Sequence, residues 1–121
     1  MYSTISTDAP GVTLINVFTV APERQGELVA ALDRATAEVF TGLPGFRSAN
    51  IHASLDGVRV VNYAQWASEE AFNTMRQRAD VQAHMKEIMT IADAFEPRLF
   101  TVRAVHNVSA ISSRGGVPAR S

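Results

Sequence analysis

Two hydrophobic periods, one near two residues and one near four, divide this chain into six elements. From Val12 to Val20 the run VTLINVFTV is β-branched and apolar with two polar interruptions, which predicts a strand buried on both faces. Pro22 suits a first helical turn, and Leu28, Ala31, Leu32, Ala35 and Val39 recur at helical spacing until Gly42 and Pro44 end the pattern. Gly45 to Ser54 and Val58 to Ala67 are extended runs joined by Leu55-Asp56-Gly57, whose Asp-Gly pair supplies the positive φ of a tight hairpin. Ser68 is a candidate N-cap, with Glu69 and Glu70 complementing the positive end of the helix that follows. Asp80 is read as restarting this helix, because Val81, Met85, Ile88, Ala92 and Phe95 form another apolar stripe ending before Pro97. Arg98 to His106 is read as the last strand.

The order β-α-β-β-α-β predicts an α+β, ferredoxin-like fold with a four-stranded antiparallel sheet and helices on one face. The expected organisation is a flexible N-terminus over residues 1–11, one domain over 12–106 and a loose C-terminal tail over 107–121. In the third strand Val58, Val60, Asn62, Ala64 and Trp66 share one face, while Val61 and Tyr63 lie on the other. The first strand divides Leu14, Phe18 and Val20 from Ile15 and Val17 in the same way. Two helices cover one face only, so the second apolar face predicts a homodimer joined through it.

Composition narrows the chemistry. With 121 residues and 46% hydrophobic content the chain can bury one core. A net charge of −1, with both signs scattered, gives no basic stripe for nucleic acid. The absence of cysteine excludes thiolate catalysis, disulfides and Fe–S clusters. No apolar run approaches the roughly 20 residues of a membrane span, and the expectation is a cytoplasmic protein with no membrane partner. Nucleotide-binding glycine patterns and a nucleophile elbow are missing, and His52, His84 and His106 lie on different elements, so neither a cofactor nor a metal is expected.

The informative segment is PGFRSANIHASLDGVRVVNYAQWASEEAF, Pro44 to Phe72. An Asn inside a buried strand is disfavoured and its amide must find partners, so Asn62 is either bonded to a neighbouring loop or aimed at a ligand. Trp66, four residues on, shares its face; its ring could be core and its N–H a directed donor. His52 stands on the strand face that carries Ser48, Asn50 and Ser54, and would join Asn62 if that face looks into the same cavity.

This segment, as PGF, IHAS-x-DG and VVNYAQW-x-SE-x-AF, resembles the antibiotic biosynthesis monooxygenase family, especially the small members that oxidise anthrone-type polyketides to quinones. The resemblance extends more weakly from about Val12 to His106. It implies a dimeric barrel of facing sheets, with the amide of Asn62 and the indole of Trp66 lining a pocket between sheet and helices. Phe72 stands where some members have a tyrosine, which removes a proton route, and Lys86 matches an arginine. His84 lies near a haem ligand of the haem-degrading relatives and Asn16 matches an Asn used there, but the helix Trp of that group aligns with Met75, which disfavours haem. Asn16, Phe72, His84 and Lys86 are therefore candidate substrate-binding positions.

The implied reaction is a cofactor-independent oxidation of a small aromatic polyketide by molecular oxygen through an enolate. Asn62 and Trp66 would stabilise the enolate oxygen, and His52 is the candidate base, since an imidazole exchanges protons near neutral pH. The alternatives are a cyclase or isomerase that uses the same enolate stabilisation, and a non-catalytic binding module.

Overall fold

The structure, a computed structural model, describes residues 2–108. Strand β1 (Val12–Thr19) leads through a 3₁₀ turn at Pro22–Arg24 into helix α1 (Gln25–Glu38), and a second 3₁₀ turn, Phe40–Gly42, delivers the chain to β2 (Phe46–Ala53). Strand β3 (Arg59–Trp66), helices α2 (Glu69–Arg76) and α3 (Ala79–Ile88), and strand β4 (Ala94–Phe100) complete the domain. The strands form one antiparallel sheet in the order β2-β3-β1-β4. This is the expected α+β, ferredoxin-like arrangement, with its second helix broken in two.

The elements from α1 to α2 carry the local chemistry that the sequence assigns to them. The α1 stripe is buried at Leu28, Ala31, Leu32 and Ala35. At the hairpin Gly57 has φ of 86°, the Gly57 N–H donates to the Ser54 carbonyl at 3.1 Å, and the Ser54 N–H donates to the Arg59 carbonyl at 3.0 Å. The Ser54 hydroxyl and the Val58 N–H both donate to the Asp56 carboxylate, which they hold below the usual carboxylate range. Ser68 caps α2, its hydroxyl accepting the Ala71 N–H at 3.0 Å. Asp80 is not the cap of α3 but belongs to its first turn, where the Arg78 guanidinium grips it through two hydrogen bonds.

The end of the chain corrects the expected pattern. Phe95 is not the last residue of a helical stripe; it belongs to β4, which begins at Ala94 rather than Arg98 and ends at Phe100 rather than His106. Pro97, expected to follow the end of a helix, sits in the middle of this strand, opposite Asn16. A proline is tolerated there because β4 is an edge of the sheet, where a missing N–H disrupts little. The expected C-terminal tail lies, from residue 109 on, outside the described residues.

Pleating then decides what faces the helices. Leu14, Asn16 and Phe18 of β1 pair with Ala64, Asn62 and Val60 of β3, and all point inward. In β2 a bulge between Phe46 and Ser48 adds one residue, so that Phe46 faces inward with Ala49 and Ile51 although the spacing is three. Two clusters fill the space between sheet and helices. One is built on Phe18, Leu28, Val60 and Ile88, the other on Leu14, Trp66, Phe72 and Val81. Across the sheet, residues 3–10 run over the outer face. The Ser3 hydroxyl donates to Asn50 and the Gln65 amide to the Thr4 carbonyl, each at 2.8 Å, and Arg47 donates to the Pro10 carbonyl. No helix among the described residues is long and apolar enough to cross a membrane.

Removing the α2 cap offers a direct check on this packing. Ser68→Ala should lower stability by about 1 kcal/mol, or roughly 4–8 °C in Tm for a domain of this size, while Ser68→Asp should retain most of it. Thermal unfolding followed by circular dichroism measures both.

Candidate active site

Between the sheet and the three helices lies a cavity of about 370 Å³, within the usual range for small-molecule sites. Its wall is mostly hydrocarbon and aromatic: Phe18, Phe40, Phe46, Trp66, Phe72 and Phe95 all reach it. The polar exceptions are few. Asn16 and Asn62 project from β1 and β3 as direct cross-strand neighbours, and Trp66 follows Asn62 by four residues, two repeats of the pleat, on the same side of β3.

These three side chains share a property unusual for a folded interior. Asn16 Oδ1, Asn62 Oδ1 and Trp66 Nε1 are each buried without a hydrogen-bond partner among the described residues. Leaving a buried polar group unpaired costs about 1–3 kcal/mol, and native proteins keep such groups where a functional role, a bound water or an ion accounts for them. Here three occur on one wall of one cavity. The indole cannot turn away, because Phe40, Phe46 and Phe72 hold its ring in edge-to-face contacts at centroid distances of 6.4, 5.5 and 6.2 Å. Amide groups can exchange their oxygen and nitrogen by a flip, so either asparagine can offer a donor or an acceptor to whatever enters.

Of the remaining candidates, Phe72 is buried and lines the cavity, contributing an apolar ring. His52 is elsewhere. It pairs with Val61, whereas its neighbour Ile51 pairs with Asn62, so the imidazole projects from the outer face of the sheet and is exposed. The chain does not bring His52 to Asn62 and Trp66. Lys86 is exposed on α3 and lies outside the cavity lining. His84 also lies outside it; its Nδ1 stands 3.9 Å from Glu87 Oε1. Among the described residues no three metal-binding side chains converge.

Three polar lining residues carry no sequence-based expectation: Thr36, whose hydroxyl donates to the Leu32 carbonyl at 2.8 Å, and Arg76 and Gln82. Arg76 and Gln82 both reach the cavity and both remain exposed, as do Phe95 and Pro97, so the cavity opens where these residues meet solvent. Arg76 places its guanidinium 5.7 Å from the centre of the Phe72 ring. The signal was available: Arg76 follows Phe72 by four residues and so shares its face of the helix. Among the described residues no histidine and no carboxylate line the cavity.

Comparison with known proteins follows the same lines. A family model described as antibiotic biosynthesis monooxygenase matches residues 11–87. Tetracenomycin-F1 monooxygenase of Streptomyces glaucescens is 39% identical over 113 residues, which cover 93% of this chain and 98% of that one. A monooxygenase from the gene ActVA-Orf6 of Streptomyces coelicolor, solved with nanaomycin D, is similar with a TM-score of 0.73 and 31% identity, covering 84% of this chain and 95% of the other. SnoaB, a cofactor-independent oxygenase from Streptomyces nogalater, gives 0.69 and 28% over 80% of this chain and 97% of its own.

If the unpaired amides are held in place against a cost, removing them should stabilise the empty protein. Asn62→Leu and Asn16→Leu should each raise the unfolding free energy by about 1 kcal/mol, the lower end of the penalty for an unpaired buried group. Urea unfolding without added ligand tests this, and a clear loss of stability in both variants would show that the amides are structural.

Proposed function

The chain belongs to the antibiotic biosynthesis monooxygenase family and is a monooxygenase, and from that premise we propose that it oxidises an anthrone- or phenol-like aromatic polyketide with molecular oxygen to a quinone, through an enolate. The observation that carries this reading is the set of three unpaired polar atoms on one wall of an aromatic cavity. Fused rings suit the walls, and an enolate oxygen suits the unpaired indole N–H of Trp66 together with the amide N–H that a flip of Asn62 turns toward it.

Ground-state oxygen is a triplet, and its direct reaction with a closed-shell organic molecule is spin-forbidden. An electron-rich carbanion avoids that barrier by giving up one electron. Loss of a proton from the anthrone methylene yields the anthrolate, and electron transfer to oxygen yields a substrate radical and superoxide. Their recombination forms the carbon–oxygen bond of a peroxide. Loss of water then breaks the O–O bond and leaves the quinone carbonyl, so that one oxygen atom enters the product and the other leaves as water.

The protein's part is to make the enolate accessible. Trp66 Nε1 and the Asn62 amide donate to the developing oxyanion, with Asn16 beside them, and each such preorganised donor is worth about 10²–10³-fold in rate. With no histidine or carboxylate among the described residues of the lining, the methylene proton passes to water at the open side of the cavity. Phe72 cannot relay it. Apolar walls favour both the rings and oxygen, which partitions into hydrocarbon more readily than into water.

The tests are kinetic. Asn62→Ala and Trp66→Phe should each lower kcat about tenfold to a thousandfold with the fold retained, whereas His52→Ala should leave kcat within about twofold. Oxygen uptake with dithranol, a commercial anthrone, measures this, and product formed at the same rate under nitrogen would reassign the enzyme to cyclisation or isomerisation.

A homodimer belongs to the same proposal. Ile15, Val17, Val61 and Tyr63 share the outer face of the sheet, each only half-buried, and a second copy would cover them. Light scattering should give twice the mass of the chain, and Val17→Asp should halve it.

A further inference from the structure

We propose that Arg76 is the anchor for a carboxylate on the aromatic substrate, making this cavity selective for polycyclic acids over their neutral analogues. The inference rests on the reading of the cavity as a site for an aromatic substrate, and it goes further by naming the charge that substrate carries.

Among the described residues Arg76 is the one ionisable side chain in the cavity lining. The guanidinium groups of Arg24, Arg34, Arg78 and Arg98 each meet a carboxylate, at 2.9, 2.8, 3.0 and 3.3 Å respectively. Among the described residues, no carboxylate stands within ion-pair distance of Arg76. Its contact is instead with the face of Phe72, at 5.7 Å, a placement that directs the head group over the cavity wall while its hydrogen-bond donors stay free. The backbone at this corner is tied as well, since the Gln82 amide donates to the Arg76 carbonyl at 3.3 Å.

Distances along the wall give the substrate its orientation. From the guanidinium to the Phe72 ring is 5.7 Å, and from that ring to Trp66 is 6.2 Å. Those two steps set an upper limit on the separation of guanidinium and indole, a span that a small fused polycyclic acid can cover. An aromatic acid can therefore present its carboxylate to Arg76 at the solvent side while its far ring reaches the unpaired indole N–H. The planar fork of guanidinium donors binds a carboxylate through two parallel hydrogen bonds, and the same plane can lie against an aromatic ring. A substrate held only by hydrocarbon walls could slide or invert; a charge fixed at one end sets which carbon lies beside Asn62 and Trp66.

Trp66 is the only tryptophan in the chain, so its fluorescence reports occupancy without requiring turnover. The probes are anthracene-2-carboxylate and its methyl ester, whose absorption overlaps indole emission. Wild-type protein should bind the acid about tenfold more tightly than the ester, the lower end of what a charge-assisted hydrogen bond contributes, because Arg76 is exposed. That preference should weaken in high salt and vanish in Arg76→Gln. Arg76→Lys should retain part of it, since the charge remains and the fork does not. Circular dichroism verifies that both variants are folded. Equal affinity for the two probes in the wild type, an undiminished preference in Arg76→Gln, or no quenching by either probe would each overturn the proposal. Oxygen uptake is scored separately: its failure beside an intact preference removes the oxygenase reading alone, and a lost preference beside normal oxygen uptake removes the role of Arg76 alone.

Discussion

The pairing of β1 with β3 sets Asn16 beside Asn62 and aims both amides into a cavity walled by hydrocarbon. Everything about the site follows from that register. A shift of β3 by one residue would turn Asn62 and Trp66 to the outer face, bring Val61 and Gln65 inward and leave Asn16 without its neighbour, because successive strand residues point to opposite sides. The arrangement is held by what surrounds it. Phe18 and Val60 on one side of the amides, and Leu14 and Ala64 on the other, are buried on the same face, so the register that buries the apolar residues also buries the amides. Core formation thus imposes the position of groups that destabilise the core.

Aromatic packing does for the indole what register does for the amides. Three phenylalanine edges surround Trp66, two of them from segments that the sheet alone would not bring there. Phe40 comes from the 3₁₀ turn that follows α1, and Phe72 from α2, whose start is fixed by the Ser68 cap. The bulge after Phe46 supplies the third. A donor fixed in this way needs no reorganisation when charge develops beside it, which is the physical content of preorganised stabilisation.

Much of this was legible in the sequence because the strongest signals were local. The run VTLINVFTV, the Asp-Gly turn and the Ser68 cap each determine a short stretch of backbone independently of the rest. Asn62 and Trp66 could be paired from their spacing alone. His52 was a different matter: the hairpin that Asp56-Gly57 closes already sets His52 opposite Val61, so its face could have been worked out, but only by carrying the register back through the turn. The bulge at Phe46 could not, since nothing in FRSAN marks the extra residue. Phe95 and Pro97 were misread for another reason. A single apolar residue at helical spacing and a proline after it look the same whether a helix is ending or an edge strand is in progress, and only the pairing of β4 with β1 separates the two.

Pro97 has a consequence beyond the fold of one chain. The outer edge of a sheet is a template on which any extended peptide can build, and β4 is such an edge, seven residues long and largely exposed. A proline at its midpoint means that the strand cannot present an unbroken row of amide donors. Growth of one sheet onto another, the route to fibrils, is thereby obstructed at the place where crowded copies of this protein would otherwise zip together.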